Sequence, residues 1–316
     1  MNPALEGEPI AGGRVLVTGA AGMLGSQLLL DAPGSCLAVG TDLTAARDGA
    51  PEVELVGLDL TDEAVVRDLF ARETFTGVIH AAAYTAVDLA EEEHALARAV
   101  NARAPEVVAE ACAAAGIPMV LVSTDFVFDG EKKTPYLEDD AVAPLSVYGA
   151  TKLEGEERAT IAHPDGLTIA RTQWLYGPRG RHFPGTMLTL AESRDELSVV
   201  DDQIGAPTST LELSPALWDL LERGERTSGA GGGIYHAACG GEGSWCDFAK
   251  STFLLAGLDP DRVHPCTTDQ FPRPAKRPAH SVLDCSRLTA LRGTAMLTWK
   301  QALARFFASH LDRSLP

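Results

Sequence analysis

The sequence predicts an α/β protein with a doubly wound parallel sheet and a smaller C-terminal lobe. Short apolar, β-branched runs alternate with longer amphipathic segments over roughly the first 170 residues, which is the rhythm of βαβ units. A glycine-rich turn directly follows the first of these runs. After Arg171 the rhythm becomes irregular, and clusters of glycine and proline predict a second, less regular region.

The individual elements follow from the same patterns. Strands are expected at Arg14–Thr18, Cys36–Gly40, Val53–Val56, Gly77–Ala81, Met119–Ser123 and Leu167–Ala170, and helices at Asp62–Arg72 and Ala95–Ala115. The glycine-rich run Ser228–Gly233 predicts a surface loop. Residues 1–12 are expected to form a flexible leader and residues 13–170 the core. Residues 171–316 are expected to form mainly the smaller lobe, with some segments returning to the core.

Length and composition exclude several classes of protein. At 316 residues and 45% hydrophobic content, the chain can bury a large core. No run approaches the roughly 20 apolar residues of a membrane helix, and the first ten residues hold neither Lys nor Arg nor an apolar secretion signal. These features predict a cytoplasmic protein. The net charge of −18 argues against nucleic-acid binding but allows a small anionic substrate, which needs only a few local cations.

Neither the cysteines nor the histidines form a metal-binding pattern. The six cysteines are scattered without a CxxC pair, which favours reduced thiols over a disulfide framework. His182, His236 and His280 lack the spacing of metal ligands. No resident metal is therefore expected.

Glycines recur at every third position in the turn after the first strand. Gly19, Gly22 and Gly25 stand between that strand and the start of a helix. Glycine lets the backbone approach a pyrophosphate, and the amides and dipole of the helix N-terminus stabilise its charge. The turn, including Met23 and Leu24, predicts a binding site for the pyrophosphate of NADH or NADPH.

Further candidate cofactor contacts stand at the ends of later strands, where ligands bind in open α/β sheets. Asp42 closes the second strand, where a carboxylate can accept hydrogen bonds from the ribose hydroxyls. An Asp there favours NADH, whereas the nearby Arg47 can pair with a 2′-phosphate, so the choice between NADH and NADPH stays open. The remaining contacts are expected at Asp59, Leu60, Ala81, Ala82 and Ala83. Together these features predict an NAD(P)-binding Rossmann core.

A tyrosine and a lysine stand four residues apart after the fifth strand. On a helix, Tyr148 and Lys152 lie on the same face, one turn apart. A nearby ammonium lowers the pKa of a phenol, so Lys152 is expected to tune Tyr148 as the acid and to hold the nicotinamide ribose. Thr124 lies 24 residues before Tyr148 and can hydrogen-bond the same carbonyl oxygen. The three residues form a candidate catalytic set, in which Tyr148 and Lys152 also contact the cofactor.

Several segments resemble dTDP-4-dehydrorhamnose reductases and span nearly the whole chain. They are residues 81–88 (AAAYTAVD), 123–130 (STDFVFDG), 148–152 (YGATK), 171–176 (RTQWLY) and 202–208 (DQIGAPT). The resemblance implies reduction of dTDP-4-dehydro-L-rhamnose to dTDP-L-rhamnose, with Thr124, Tyr148 and Lys152 at the reacting centre.

The same resemblance implies which residues face the sugar nucleotide. It suggests Thr124, Asp125, Trp174 and the 202–208 segment, which contains Gln203. Two departures concern the following loop, where Arg181-His182-Phe183 replaces the usual Asn before Phe and Arg179 lies in an altered stretch.

A basic, proline-flanked segment supplies one more candidate substrate contact. Arg277, in the sequence RPAKRP that begins at residue 273, can pair with the substrate diphosphate. The segment reads equally well as a connector, and both interpretations stay open.

Three other functions are weighed against ketone reduction of dTDP-4-dehydrorhamnose. Nucleotide-sugar 4,6-dehydratases carry a Glu after Thr-Asp, and Phe126 stands there instead, so dehydration loses its base. A non-catalytic regulatory subunit, like that of methionine adenosyltransferase, is disfavoured by the intact Thr/Tyr/Lys set. A 4-ketoreductase for another dTDP-deoxysugar, as in antibiotic biosynthesis, stays open.

The expected partner is a small nucleotide-sugar substrate, with no nucleic acid and no membrane. A homodimer stays an open alternative to a monomer, and so does support of a dimer by a divalent metal.

Overall fold

The computed structural model describes residues 13–43, 55–223 and 233–310. The predicted leader, Arg47 and the predicted loop Ser228–Gly233, apart from Gly233, lie outside the described residues. So do the first two residues of the predicted third strand.

The strands of the described residues are β1 (Arg14–Thr18), β2 (Leu37–Asp42), β3 (Leu55–Gly57), β4 (Gly77–His80), β5 (Met119–Thr124), β6 (Leu167–Thr172), β7 (Leu175–Tyr176), β8 (Leu197–Val200), β9 (Ile204–Gly205), β10 (Thr208–Ser209), β11 (Ile234–His236), β12 (Gly243–Ser244) and β13 (Val263–Cys266). Seven of them form a parallel main sheet, in the order β11-β6-β5-β4-β1-β2-β3. The strand order reverses beside β1, as it does in doubly wound folds, so the predicted fold class is confirmed.

Helices cover both faces of this sheet. They are α1 (Met23–Leu30), α2 (Glu63–Arg72), α3 (His94–Arg98), α4 (Ala104–Ala115), α5 (Val147–Ala162), α6 (Phe183–Ser193), α7 (Thr210–Arg223), α8 (Trp245–Leu255), α9 (Ser286–Arg292) and α10 (Trp299–His310). Side chains alternate across a strand, so Val15 and Val17 pack with α1 and α7, whereas Leu16 packs with α2, α4 and α5. The sheet is therefore buried on both faces, as parallel sheets require.

The predicted helix Ala95–Ala115 is interrupted in the structure. It divides into α3, a π-helical turn (Ala99–Arg103) and α4. Asn101 lies in the π turn, and its amide oxygen accepts a hydrogen bond from the Tyr84 backbone at 2.8 Å. Periodicity alone did not predict the break, because the apolar pattern continues through it.

A smaller hydrophobic cluster lies apart from the sheet. Helices α6 and α8 pack with strands β8 and β13 around Met187, Val199 and Phe253. In contrast, β11 and α7 join the main sheet although they follow residue 171.

Among the described residues, no helix is both long enough and apolar enough to cross a bilayer. The same part of the chain contains no cluster of three or more His, Cys, Asp or Glu side chains that could hold a metal ion. All six cysteines are free.

Candidate active site

One elongated cleft of about 750 Å³ runs along the carboxyl edge of the main sheet. At one end it is lined by the glycine turn, Asp42 and Asp59, and at the other by Trp174 and Trp245. Thr124, Tyr148 and Lys152 line it between these ends. Strands of an open α/β sheet place their ligands at this edge.

The three glycines of the turn have different roles. Gly19 has a φ of +65°, and a Cβ there would lie 2.8 Å from the Ala82 backbone. A Cβ on Gly25 would lie 2.1 Å from the Gly19 carbonyl oxygen, so Gly25 permits α1 to pack on the turn. A Cβ on Gly22 would meet only that oxygen, at 3.0 Å, and Gly22 is exposed in the cleft. Gly22 is thus the glycine of the turn whose open side faces the cleft.

Acidic and small residues line the cleft beyond the turn. The Asp42 carboxylate accepts hydrogen bonds from the backbone amides of Ala21 at 2.9 Å and Leu43 at 2.8 Å. Asp59 is exposed and accepts two bonds from Thr61, which lower its pKa. The neighbouring positions predicted from strand ends, Leu60, Ala81, Ala82 and Ala83, also line the cleft, as do Met23 and Leu24.

The residues at this end fit a dinucleotide. The turn leaves open the space that a Cβ of residue 22 would fill, and the N-terminus of α1 points its unpaired amides into the same space. Two carboxylates stand further along the cleft, where ribose hydroxyls need acceptors.

Helix α5 positions the tyrosine and the lysine. It begins after Ser146, whose hydroxyl accepts a hydrogen bond from the Gly149 amide at 3.2 Å, so Tyr148 stands in the first turn. Tyr148 is half-buried, whereas Lys152, one turn later, is buried. The Lys152 ammonium donates to the carbonyl oxygen of Val122 on β5 at 2.7 Å. This bond joins α5 to the strand that carries Thr124.

The expected lowering of the Tyr148 pKa is wrong. Burial raises the pKa of Tyr148 to about 12, and the carboxylate of Asp125 adds to the rise, while the Thr124 hydroxyl opposes it. Burial also lowers the pKa of Lys152 to about 8, against the opposing charge of Glu156. The phenol is therefore protonated at neutral pH, which suits a group that gives up a proton.

Thr124 and the two residues after it line the cleft beside Tyr148. The Thr124 hydroxyl donates to the Asp125 carboxylate at 3.1 Å. Asp125 is buried, and burial raises its pKa to about 7. The ring of Phe126 packs edge-on against Tyr148, with ring centroids 5.5 Å apart. A phenyl ring thus occupies the place beside Tyr148 where a base would be needed for dehydration.

Two tryptophans form the far end of the cleft. The rings of Trp174 and Trp245 stack with centroids 3.8 Å apart and an angle of 9°. Trp174 has a φ of +48°, and no other described non-glycine residue has a positive φ. Such strain often marks a functional position. Trp245 was not among the residues predicted from the sequence; it is the first residue of α8, after the capping box of Ser244 and Asp247.

The loop between β7 and α6 also contributes to this end. Arg181, His182 and Phe183 all line the cleft. His182 caps α6, because its Nδ1 accepts the Gly185 amide at 3.1 Å. Burial lowers the pKa of His182, so the imidazole is neutral.

Two expected substrate contacts lie outside the cleft lining. The Gln203 amide donates to the Thr268 hydroxyl at 3.0 Å. The guanidinium of Arg277 forms two bonds with the Asp88 carboxylate, at 2.9 and 3.0 Å, which compensate its charge. The structure brings neither side chain to Tyr148.

Asn101 is a supporting residue that sequence analysis missed. Its amide nitrogen donates to the Tyr84 carbonyl oxygen and to the Thr151 hydroxyl, both at 3.2 Å. It thereby joins the segment after β4 to helix α5, next to Lys152. The signal available in the sequence was an Asn in the middle of an apolar, helical pattern, because Asn is a poor helix former.

Comparison with known proteins identifies the family. The family model described as the RmlD substrate binding domain matches residues 13–311. The chain belongs to this family, that of the dTDP-4-dehydrorhamnose reductases. The predicted resemblance is thereby confirmed.

Individual relatives agree with this assignment over nearly their full length. A dTDP-4-dehydrorhamnose reductase of Streptomyces griseus is 42% identical over 95% of both chains. A dTDP-4-keto-6-deoxy-D-glucose reductase of Streptomyces niveus is 35% identical over 93% of this chain and 96% of its own. The structure of the Bacillus anthracis dTDP-4-dehydrorhamnose reductase in complex with NADP has a TM-score of 0.84 and 35% identity, over 94% of this chain and 99% of that one.

Proposed function

We propose that this RmlD-family protein reduces the 4-keto group of a dTDP-4-keto-6-deoxysugar with NADPH or NADH. Its main candidate reaction converts dTDP-4-dehydro-L-rhamnose to dTDP-L-rhamnose. The observation that carries the proposal is the placement of Thr124, Tyr148 and Lys152 between a dinucleotide-shaped end of the cleft and an aromatic end.

In this proposal the protein's own residues handle the proton and the orientation. A bound reduced nicotinamide supplies the hydride. Tyr148 donates its phenolic proton to the ketone oxygen, and Thr124 hydrogen-bonds the same oxygen. The raised pKa of Tyr148 keeps its phenol protonated at neutral pH. The ketone oxygen gains negative charge as the hydride arrives, and an alkoxide is a stronger base than the phenolate of Tyr148, so the proton moves to the substrate. Lys152 stabilises the resulting phenolate and holds the nicotinamide ribose.

The remaining residues of the cleft lie on either side of the proposed reacting centre, and we assign one side to the cofactor and the other to the nucleotide sugar. We assign the glycine turn, Asp42, Asp59 and the 81–83 segment to the cofactor. Asp125, Trp174 and Trp245 are assigned to the nucleotide sugar, because they line the opposite end. Gln203 and Arg277 remain predictions as substrate contacts, although their side chains are bonded elsewhere. Residues 171–316 would then form mainly the substrate lobe.

Two rival activities receive less support. Phe126, whose ring packs against Tyr148, stands where nucleotide-sugar dehydratases carry their Glu, so dehydration lacks that base. A non-catalytic regulatory role does not account for a complete Thr/Tyr/Lys set. A ketoreductase for another deoxysugar remains the second candidate, because the Streptomyces niveus relative is named for a different sugar.

The test is an assay of the purified protein against a panel of dTDP-4-keto-6-deoxysugars, each with NADPH and with NADH. One reduced cofactor should be consumed per sugar, and NMR of the product gives the configuration at C4. Incubation with dTDP-glucose and catalytic NAD⁺ should give no 4-keto-6-deoxy product. Oxidation of no cofactor with any of the sugars would overturn the proposal.

A cytoplasmic location also belongs to this proposal. Six free cysteines are compatible with a reducing compartment, where thiols persist. A homodimer remains an open assembly state, and sedimentation would determine it.

A further inference from the structure

The protein must bind anions although it is strongly acidic. Its net charge is −18. Under the proposed function, on which this inference rests, the cleft takes two ligands that each carry a diphosphate. A general field of negative charge opposes both, so local positive groups must overcome it.

Few cations line the cleft. Among the described residues, the acidic side chains in its lining are Asp42, Asp59 and Asp125, and the basic ones are Lys152 and Arg181, beside the neutral His182. Lys152 donates to the Val122 carbonyl and stands at the reacting centre. Arg277, the cation expected from the sequence, is paired with Asp88. Arg181 therefore remains as the candidate for a charged group on a ligand.

The guanidinium of Arg181 is exposed and is not engaged by the described part of the protein. No hydrogen bond or ion pair joins it to another described residue, although 44 acidic residues are present in the chain. Other arginines of the chain, such as Arg262 and Arg287, do bond to neighbouring groups. An unpaired guanidinium at the wall of a cleft is available to an anionic group, such as a phosphate, that offers two oxygens to its fork.

The backbone places Arg181 between two helix N-termini. It stands two residues before α6, which begins at Phe183 with its cap at His182. The loop also lies against the start of α1, because a Cβ on Gly180 would be 3.9 Å from the Cβ of Met23. The N-terminus of α1 has no side-chain cap and leaves amides unpaired beside the cleft. On α6, Pro184 has no N–H and the Gly185 amide is bonded to His182, so α6 contributes the positive end of its dipole.

We propose that Arg181 binds a ligand diphosphate at the wall of the cleft, with the positive end of the α6 dipole supporting it. The guanidinium fork matches two phosphate oxygens, which a lysine would contact only as a point charge. The diphosphate belongs either to the nucleotide sugar or to the dinucleotide, and the two sources share this chemistry.

The test is calorimetry of Arg181→Gln with dTDP, thymidine and NADPH. The variant should bind one of the two diphosphates about 10- to 100-fold more weakly, as for the loss of a charge-assisted hydrogen bond. Thymidine lacks phosphates, so its affinity should not change. Arg181→Lys should lie between the variant and the unchanged protein. A loss confined to dTDP assigns the diphosphate to the substrate, and a loss confined to NADPH assigns it to the cofactor.

The matched control is Arg194→Gln, at the far end of the same helix. Arg194 is exposed and stands about 18 Å away along the helix axis. Its replacement by Gln removes the same charge as Arg181→Gln. It should leave all three affinities unchanged, so that a loss seen only at Arg181 is local.

Three results would overturn the inference. They are unchanged affinity for both diphosphates in Arg181→Gln, an equal loss for thymidine, and an equal loss in Arg194→Gln. If the unchanged protein binds NADPH but no dTDP, the proposed substrate class fails, and the NADPH measurement still decides the role of Arg181. If the protein binds neither diphosphate, both proposals fail.

Discussion

The two ends of the cleft are built in different ways. At the dinucleotide end, the site is formed mostly by backbone: the glycine turn, the N-terminus of α1 and the alanines after β4 give the cleft its shape and its backbone amides. At the aromatic end, side chains form the site: Trp174 and Arg181 come from two separate loops, and Trp245 is the first residue of α8. A backbone-built site depends on small residues at fixed spacing, whereas a side-chain-built site depends on how distant segments meet.

This difference predicts how each part responds to substitution. A substitution at the backbone-built end should act through steric exclusion of the ligand. A substitution at the aromatic end should remove one contact among several. The reacting centre between them should be the most sensitive, because its chemistry depends on single atoms.

The largest expected effect belongs to Tyr148, the proposed proton donor between the two ends. Tyr148→Phe keeps the ring and its edge-on contact with Phe126 but removes the hydroxyl. Turnover should fall by about two to four orders of magnitude, while cofactor affinity changes little. Stopped-flow oxidation of NADPH measures the first quantity and fluorescence titration the second.

The control for this variant is Tyr84→Phe. Tyr84 bonds Glu93 through its hydroxyl and does not line the cleft. Tyr84→Phe should therefore have the same turnover as the original protein. If Tyr148→Phe retained more than half of the original turnover in single-turnover measurements, Tyr148 would lose its assigned role.

The next effect tests the backbone-built end. A valine at Gly22 would project into the space assigned to the pyrophosphate, and would otherwise meet only the Gly19 carbonyl oxygen. Gly22→Val should therefore weaken NADPH binding about 10- to 100-fold or more, through lost charge-assisted hydrogen bonds, and leave the fold intact. Calorimetry measures the affinity, and thermal unfolding reports the fold.

Two other glycines make this result specific. At Gly34 a Cβ would meet nothing within 4 Å, so Gly34→Val should leave NADPH affinity unchanged. At Gly25 a Cβ would lie 2.1 Å from a carbonyl oxygen, so Gly25→Ala should lower the melting temperature. Undiminished NADPH affinity in Gly22→Val would remove the turn from the cofactor site.

The sequence predicted the two ends unequally, for the same physical reason. The glycine spacing, Asp42 and the order of the strands are local patterns, and the structure has them at one edge of the sheet. Trp245 lies 71 residues after Trp174 in the chain, and only packing of α8 brings the rings together. Arg277 was predicted from its charge, and its partner Asp88, 189 residues away, was not visible in any local pattern.

The pKa of Tyr148 shows the same limit at the level of electrostatics. Spacing placed Lys152 on the same helical face, and this much is confirmed. The direction of the shift depends on burial and on the Asp125 carboxylate, which come from tertiary structure. Sequence spacing predicts which side chains are neighbours on a helix, but it does not predict how far burial removes their charged forms from water.

A smaller effect concerns Asp125 and is measured as stability against pH. Burial raises the pKa of Asp125 to about 7, well above its ordinary value. Between about pH 4 and pH 7 the folded state therefore keeps a proton that the unfolded state loses, so this residue's contribution to stability falls as pH rises. Asn cannot ionise. The stability of Asp125→Asn relative to the original protein should thus grow by about 2 kcal/mol from pH 5 to pH 8.

Urea unfolding at each pH measures this difference. Asp129→Asn is the control, because the pKa of Asp129 is shifted in the opposite direction: the Tyr136 hydroxyl lowers it. Asp129 is ionised in both the folded and the unfolded protein from pH 5 to pH 8. The loss of stability in Asp129→Asn should therefore be the same at every pH in this range. A pH-independent difference for Asp125→Asn would contradict the raised pKa.

The smallest effect is expected at the aromatic end, where Trp245 stacks on Trp174. Trp245→Leu keeps an apolar residue at the start of α8, where the Ser244 cap is unchanged, but removes a ring contact of about 0.5 to 1.5 kcal/mol. If Trp174 faces the nucleotide sugar, its loosened ring should weaken dTDP binding about two- to tenfold. NADPH affinity should stay unchanged, because the dinucleotide end does not use this ring. Phe271→Leu makes a comparable change at an exposed aromatic outside the cleft lining and should alter neither affinity. Equal losses of dTDP and NADPH affinity in Trp245→Leu would show that the two ends are not independent, and the division of the cleft would have to be withdrawn.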